Sequence, residues 1–185
     1  MRFLIRVEND NKSKHVITKQ REIQGLVHKG KVGNLRITSK ALEFDLFVKN
    51  ENELHEAENI FSKSAKILTV KKLDIPPMAL SKAQTMIEAK NLFNEERYWE
   101  CHEILEGLWR VLKGDEKILV QAMILVCASF VHFQRNETAV AISMLQRYRS
   151  RLKWPDEFYE GVDMQKLRDG VAEILLEESF RRIHL

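Results

Sequence analysis

The chain has 185 residues, 44% apolar and 31% charged, with a formal net charge of +3. That length buries a real core in one large domain or two small ones, and the composition excludes a disordered, collagenous or disulfide-stapled chain. Only two cysteines occur, Cys101 and Cys127, without zinc or C-x-x-C spacing, so a reduced compartment is expected.

The opening MRFLIRVENDNK acquires charge too early for a signal peptide. Phe3 to Val7 reads as a short strand, and Asn11 to about Val27 carries Val16, Ile17, Ile23 and Leu26 in a loose helical pattern. Leu35 to Val48 gives two alternating runs joined around Ser39 and Lys40, a hairpin whose second strand lines up Leu42, Phe44, Leu46 and Val48 on one face. Asn50 or Asn52 can cap a helix with the stripe Leu54, Ala57, Ile60 and Phe61, and Lys66 to Leu73 closes the segment as a strand. The order β-α-β-β-α-β predicts a ferredoxin-like α+β domain over residues 1–75. This part is basic, with 15 Lys/Arg against 10 Asp/Glu, a balance of +5. Nucleic acid is therefore a candidate partner, ranked low because the sheet lacks the aromatic pair used for base stacking.

Residues 76–81 read as a linker, because Pro76 and Pro77 stop a helix from running through. Ser81 and Gln84 have capping-box spacing, and from there no strand pattern survives. Helices are expected at about 82–94, 97–113 and 116–134. A fourth, capped by Asn136, ends at Trp154-Pro155, and a last one carries Met164, Leu167, Val171 and Ile174. Residues 82–185 thus form an all-α helical bundle. Ile118 to Phe133 is too short for a membrane span and fits a buried helix, so the expected location is the cytoplasm. Sliding the sequence by 40 positions aligns Phe93 with Phe133, Leu105 with Leu145, Leu112 with Leu152 and Lys113 with Lys153, the pattern of two similar helical hairpins.

The helix at 97–113 holds the polar residues of most interest. Cys101, Leu105, Leu108 and Leu112 form its apolar stripe, and His102 and Glu106, four residues apart, share one face beside it; Glu103 points further out. On the next helix Gln121 and His132 differ by three turns, on one line about 16 Å long. Buried polar groups need partners, so this line is expected to meet the His102–Glu106 shoulder in one interior pocket, with Ser129 at its edge and Tyr98, Trp99 and Trp109 as lining aromatics. Two readings compete. The residues satisfy one another to fix helix packing, or His102, Glu106 and His132 bind a divalent metal or move protons. H-E-x-x-E differs from the zinc-protease H-E-x-x-H in its last ligand.

The run Phe93-Asn94, Tyr98-Trp99-Glu100, His102-Glu103, Leu105-Glu106 and Trp109, followed by Gln121, His132 and Asn136, closely resembles the signature of domain-of-unknown-function family 309 over roughly residues 82–153. The resemblance implies a compact helical bundle and brings no established activity with it. The chain departs from the pattern at two turns, where the usual glycines are replaced by Glu95-Glu96-Arg97 and by Arg135 and Ala139. The leading functional expectation is a helical module that binds a protein or small molecule. The alternative is a metal-dependent enzyme, a hydrolase, using His102, Glu103, Glu106 and His132; RNA binding ranks third.

Overall fold

The structure is a computed structural model and describes residues 1–9, 15–74, 80–152 and 154–185. The expected Pro76-Pro77 linker, the first residues of the 11–27 segment and the Lys113–Lys153 correspondence lie outside the described residues. Contacts divide the chain into two compact units, residues 1–77 together with 134–136, and residues 78–133 with 137–185.

The first unit is built on a four-stranded antiparallel sheet. Its elements are β1 (Arg2–Glu8), α1 (Val16–Leu26), β2 (Lys31–Ile37), β3 (Ala41–Phe47), α2 (Glu51–Ser64) and β4 (Ile67–Lys72), with strand order β2-β3-β1-β4. That is the ferredoxin-like order, reached because each helix carries the chain past one strand to a position two places away. Period-two alternation sends Phe3, Ile5, Val7, Leu42, Phe44 and Leu46 to one face, where Ile23 of α1 and Leu54, Ala57 and Phe61 of α2 complete a core. Asn50 caps α2, its side chain accepting from the Glu53 N–H at 3.0 Å.

The opposite face holds a ladder of charges that sequence reading leaves facing water. Arg36, Glu43 and Asp45 are only 2%, 1% and 0% exposed. Arg36 Nε donates to Glu43 at 2.6 Å and Arg2 Nη2 to Asp45 at 2.6 Å, so the buried carboxylates are paired and hydrogen-bonded. The register puts Arg36 opposite Glu43 and Arg6 opposite Glu43 on its other side, so the ladder follows from strand pairing.

The second unit contains α3 (Lys82–Asn94), α4 (Tyr98–Val111), α5 (Gly114–Gln134), α6 (Thr138–Tyr148) with a 3₁₀ turn at Arg149–Arg151, and α7 (Met164–Glu177). Ser81 opens α3 with the expected capping box. Two details differ from expectation. A small ribbon, β5 (Phe158–Tyr159) with β6 (Val162–Asp163), interrupts the helices around Glu160 and Gly161, which both take positive φ; two-residue strands leave no periodic trace in a sequence. Asn136 does not cap α6. It sits at φ 62° inside the turn, a conformation asparagine tolerates, and Glu137 precedes the helix.

The 40-residue offset is written into the backbone. Glu96 and Asn136 share left-handed φ values of 61° and 62°. The Arg97 N–H donates to the Leu92 carbonyl as Glu137 does to His132, both at 2.9 Å. Leu105 and Leu145 are both 1% exposed in one core cluster. α5 is 21 residues long, longer than the apolar run suggests, and among the described residues it is the helix long and apolar enough to cross a membrane. Half of its most apolar stretch is buried within the protein, as in a core helix.

Candidate metal-binding facet on the fourth helix

The α4 stripe Cys101, Leu105 and Leu108 is buried, and it sets how α4 runs against α5. Cys127 Sγ donates to Cys101 Sγ at 3.3 Å, and Cys101 Sγ donates to the Ala89 carbonyl at 3.2 Å. The rings of Tyr98 and Phe130 lie 4.6 Å apart, one turn back along α4 and one turn on along α5. The hydrogen bond shared with Cys127, together with burial, pushes the Cys101 thiol well above its ordinary pKa, so this sulfur stays protonated and unreactive. The void between Cys101, Leu105, Met123 and Cys127 measures ≈ 10 Å³, room for no more than a water.

His102 lies beside this seam and not inside it. Its side chain is 23% exposed, with Glu103 at 51% and Glu106 at 40%. Nδ1 is 3.3 Å from a Glu103 carboxylate oxygen and Nε2 is 3.8 Å from Glu106, so the ring stands between two carboxylates. One ligand atom from each of the three residues falls within 4.8 Å of the others. Helix geometry explains the grouping, since i and i+4 stack on one face and i+1 flanks it. Arg110, a further turn on, approaches the other oxygen of Glu106 at 3.7 Å.

The remaining expected members do not join them. The Cys101–Cys127 and Tyr98–Phe130 contacts bring the start of α4 level with Phe130, so His132 lies beyond the first turn of α4. Its Nδ1 meets a Glu137 carboxylate across the turn into α6. Gln121 is half-buried and makes no hydrogen bond to either histidine among the described residues. The single interior pocket of the sequence reading is therefore corrected to two separate groups, His102–Glu103–Glu106 and His132–Glu137. Of the expected metal set His102, Glu106 and His132, the first two stand together with Glu103, and His132 does not join them.

The aromatics divide in the same way. Tyr98 is a core residue, packed on Phe93 and Phe130, and burial pushes its phenol well above the ordinary value. Trp99 is half-buried beside His102's turn. Trp109 lies under the Lys117 ammonium, 4.4 Å from its ring centroid, and its indole N–H is buried with no hydrogen-bond partner among the described residues. Ser129 is likewise fully buried with an unpartnered hydroxyl. Neither lines a pocket with His102.

One charged network escapes sequence reading. Lys82 Nζ donates to Glu116 at 2.7 Å and lies 2.9 Å from Glu160, and Tyr159 Oη donates to Glu116 at 3.2 Å. These contacts tie α3, α5 and the β5–β6 turn together. The Lys82 hydrogen bond holds the Glu116 carboxyl below the usual range, while burial, then the nearby Glu116 charge, raises the Tyr159 phenol to about 12. Partners 34, 43 and 78 positions apart in sequence give no local signal of such a group.

Residues 86–144 match the model of the family described as Domain of unknown function (DUF309). The matched stretch runs from α3 into α6 and includes His102, Glu103, Glu106, Gln121, His132 and Asn136. Searches of curated proteins and of solved structures each return no match.

Proposed function

We propose that the helical unit is a ligand-binding module, and that the ligand it takes at α4 is a divalent metal ion held by His102, Glu103 and Glu106. The observation that carries this reading is the grouping of one imidazole nitrogen and two carboxylate oxygens within 4.8 Å. An ion ~2.1 Å from each donor needs those atoms within ~3.5 Å of one another, a closure that side-chain rotation on exposed glutamates supplies. Imidazole with carboxylates suits zinc, manganese or iron. Water would complete the coordination on the solvent side. Three protein ligands with a position left to water is also the arrangement of catalytic zinc sites, which supports a metal-dependent hydrolase as the second reading.

The test is calorimetric titration of Zn²⁺ and Mn²⁺ into the full chain. The expected result is one ion per chain, with binding lost in His102→Ala and Glu106→Ala and kept in His132→Ala. Affinity should fall as pH is lowered, because protons compete with the metal for the ligand atoms. Unchanged stoichiometry in both α4 variants would remove the proposal. Metal-stimulated hydrolysis of a simple ester or phosphate ester, absent in His102→Ala, separates the enzyme from the binding module.

A further inference from the structure

At one end of the ferredoxin-like sheet the strand register assembles a row that no helix hides. Lys31 of β2 pairs with Phe47 of β3, and Phe47 pairs with Arg2 of β1. Directly paired residues project from the same face, so a phenyl ring stands between two cations. The Arg2 guanidinium carbon is 5.7 Å from the ring centroid, and Phe47 keeps 38% of its surface exposed. An aromatic left open at a strand end, beside cations and away from the core, is poor packing and good stacking surface.

Two loops add charge to this end. The α1–β2 connection contributes His28 and Lys29, and the β3–α2 connection contributes Lys49; together with Lys31 and Phe47 they line an open cleft of about 690 Å³. Gly30 makes the first loop's approach feasible. Its φ is +114°, and a Cβ there would lie 2.7 Å from the Phe47 carbonyl oxygen, so only glycine lets the loop fold against the strand end. Lys29 has a partner in Glu56 at 3.0 Å. Lys31 and Lys49 have no ion pair among the described residues. Glu53 and Asp74 at the margin are engaged by backbone N–H groups of Lys49 and Arg2. The lining carries four cationic side chains, Arg2, Lys29, Lys31 and Lys49, against the two carboxylates Glu53 and Asp74, so its balance of charge is positive; its size suits a nucleotide, and it adjoins an exposed ring.

We propose that this cleft binds single-stranded nucleic acid, with Lys29, Lys31 and Lys49 against successive phosphates and a base laid on Phe47. An acidic peptide would use the lysines and leave the ring idle, and an anionic lipid surface would prefer a flat face to a cleft. Every base has a π-face, so one ring with three cations gives binding with little sequence preference. This site is in the other unit from the α4 facet and stands or falls separately from it.

The experiment is fluorescence anisotropy of the full chain with labelled twelve-residue uridine RNA and thymidine DNA. Three phosphate contacts give a log–log salt slope of about −2, so affinity for either strand should weaken roughly twenty-fold between 50 and 200 mM KCl. Lys31→Glu/Lys49→Glu should abolish most binding and cut the slope to about −0.7. A charge-matched control, Lys63→Glu/Lys113→Glu, should lose less than about three-fold. Phe47→Ala should weaken binding five-fold or more with the slope unchanged, circular dichroism confirming its fold. His102→Ala should bind as the wild type does. Equal losses in the two lysine pairs, an unaffected Phe47→Ala, or binding of polyglutamate or anionic vesicles in preference to either oligonucleotide would each overturn the proposal.

Discussion

Replacing Glu96 with glycine and, separately, with alanine isolates the strain stored in the α3–α4 turn. Glu96 holds φ at 61°, where a Cβ crowds the carbonyl, and its carboxylate pairs with Arg182 at 2.8 Å. Both variants lose that same carboxylate, so the difference between them reports the backbone alone. A left-handed residue with a side chain costs about 1–2 kcal/mol, and glycine's extra freedom in the unfolded chain returns about 0.5–1 kcal/mol of that advantage. Glu96→Gly should therefore be more stable than Glu96→Ala by about 1 kcal/mol, or about 4–8 °C in melting temperature for a unit of this size. All three tryptophans, Trp99, Trp109 and Trp154, fall in the helical unit, so urea unfolding followed by fluorescence reads that unit selectively. An alanine variant as stable as the glycine variant would refute the left-handed turn, and with it the matched 40-residue hairpins. The glycine that the family pattern places near this turn is what such a backbone favours.

Two further outcomes can be checked with the same assay. Leu105→Ala and Leu145→Ala remove equivalent, fully buried side chains from one core and should each destabilise the helical unit by about 2–5 kcal/mol; a loss below about 1 kcal/mol at either would contradict the burial. The Glu116 carboxyl, held below its ordinary pKa by Lys82, adds stability that is fully present above the unfolded carboxyl range near ~4.3 and fades as pH falls through the lower folded value. The stability gap between wild type and Lys82→Met should accordingly be widest near neutral pH and narrow below about pH 4. A gap independent of pH would show that Lys82 acts only through packing.

Much of the molecule is local and was legible as such. Alternation in β1 and β3, the Asn50 cap, the Ser81–Gln84 capping box and the apolar stripe of α4 each depend on residues a few positions apart. Backbone geometry fixes such relations wherever the segment ends up. The association of His102 with Glu106 belongs to this class, because four residues along a helix always return to one face. The repeated hairpins were also visible, since the same turn recurs at positions 96 and 136.

Partners that come from different elements were another matter. Whether His132 meets His102 depends on the axial offset of α4 against α5, and that offset is set by how Cys101 meets Cys127 and Tyr98 meets Phe130. Sliding two apolar stripes by one turn changes little in their sequences and changes every cross-helix pair. The same reason hides the Arg36–Glu43–Asp45 ladder and the Lys31–Phe47–Arg2 row, which exist only once strand register is chosen. The amino-acid order alone determined the elements, their caps and the side chains that share a turn; tertiary packing decided which of those side chains became neighbours, because side-chain contacts act over a few ångströms while the chain that joins them is tens of residues long.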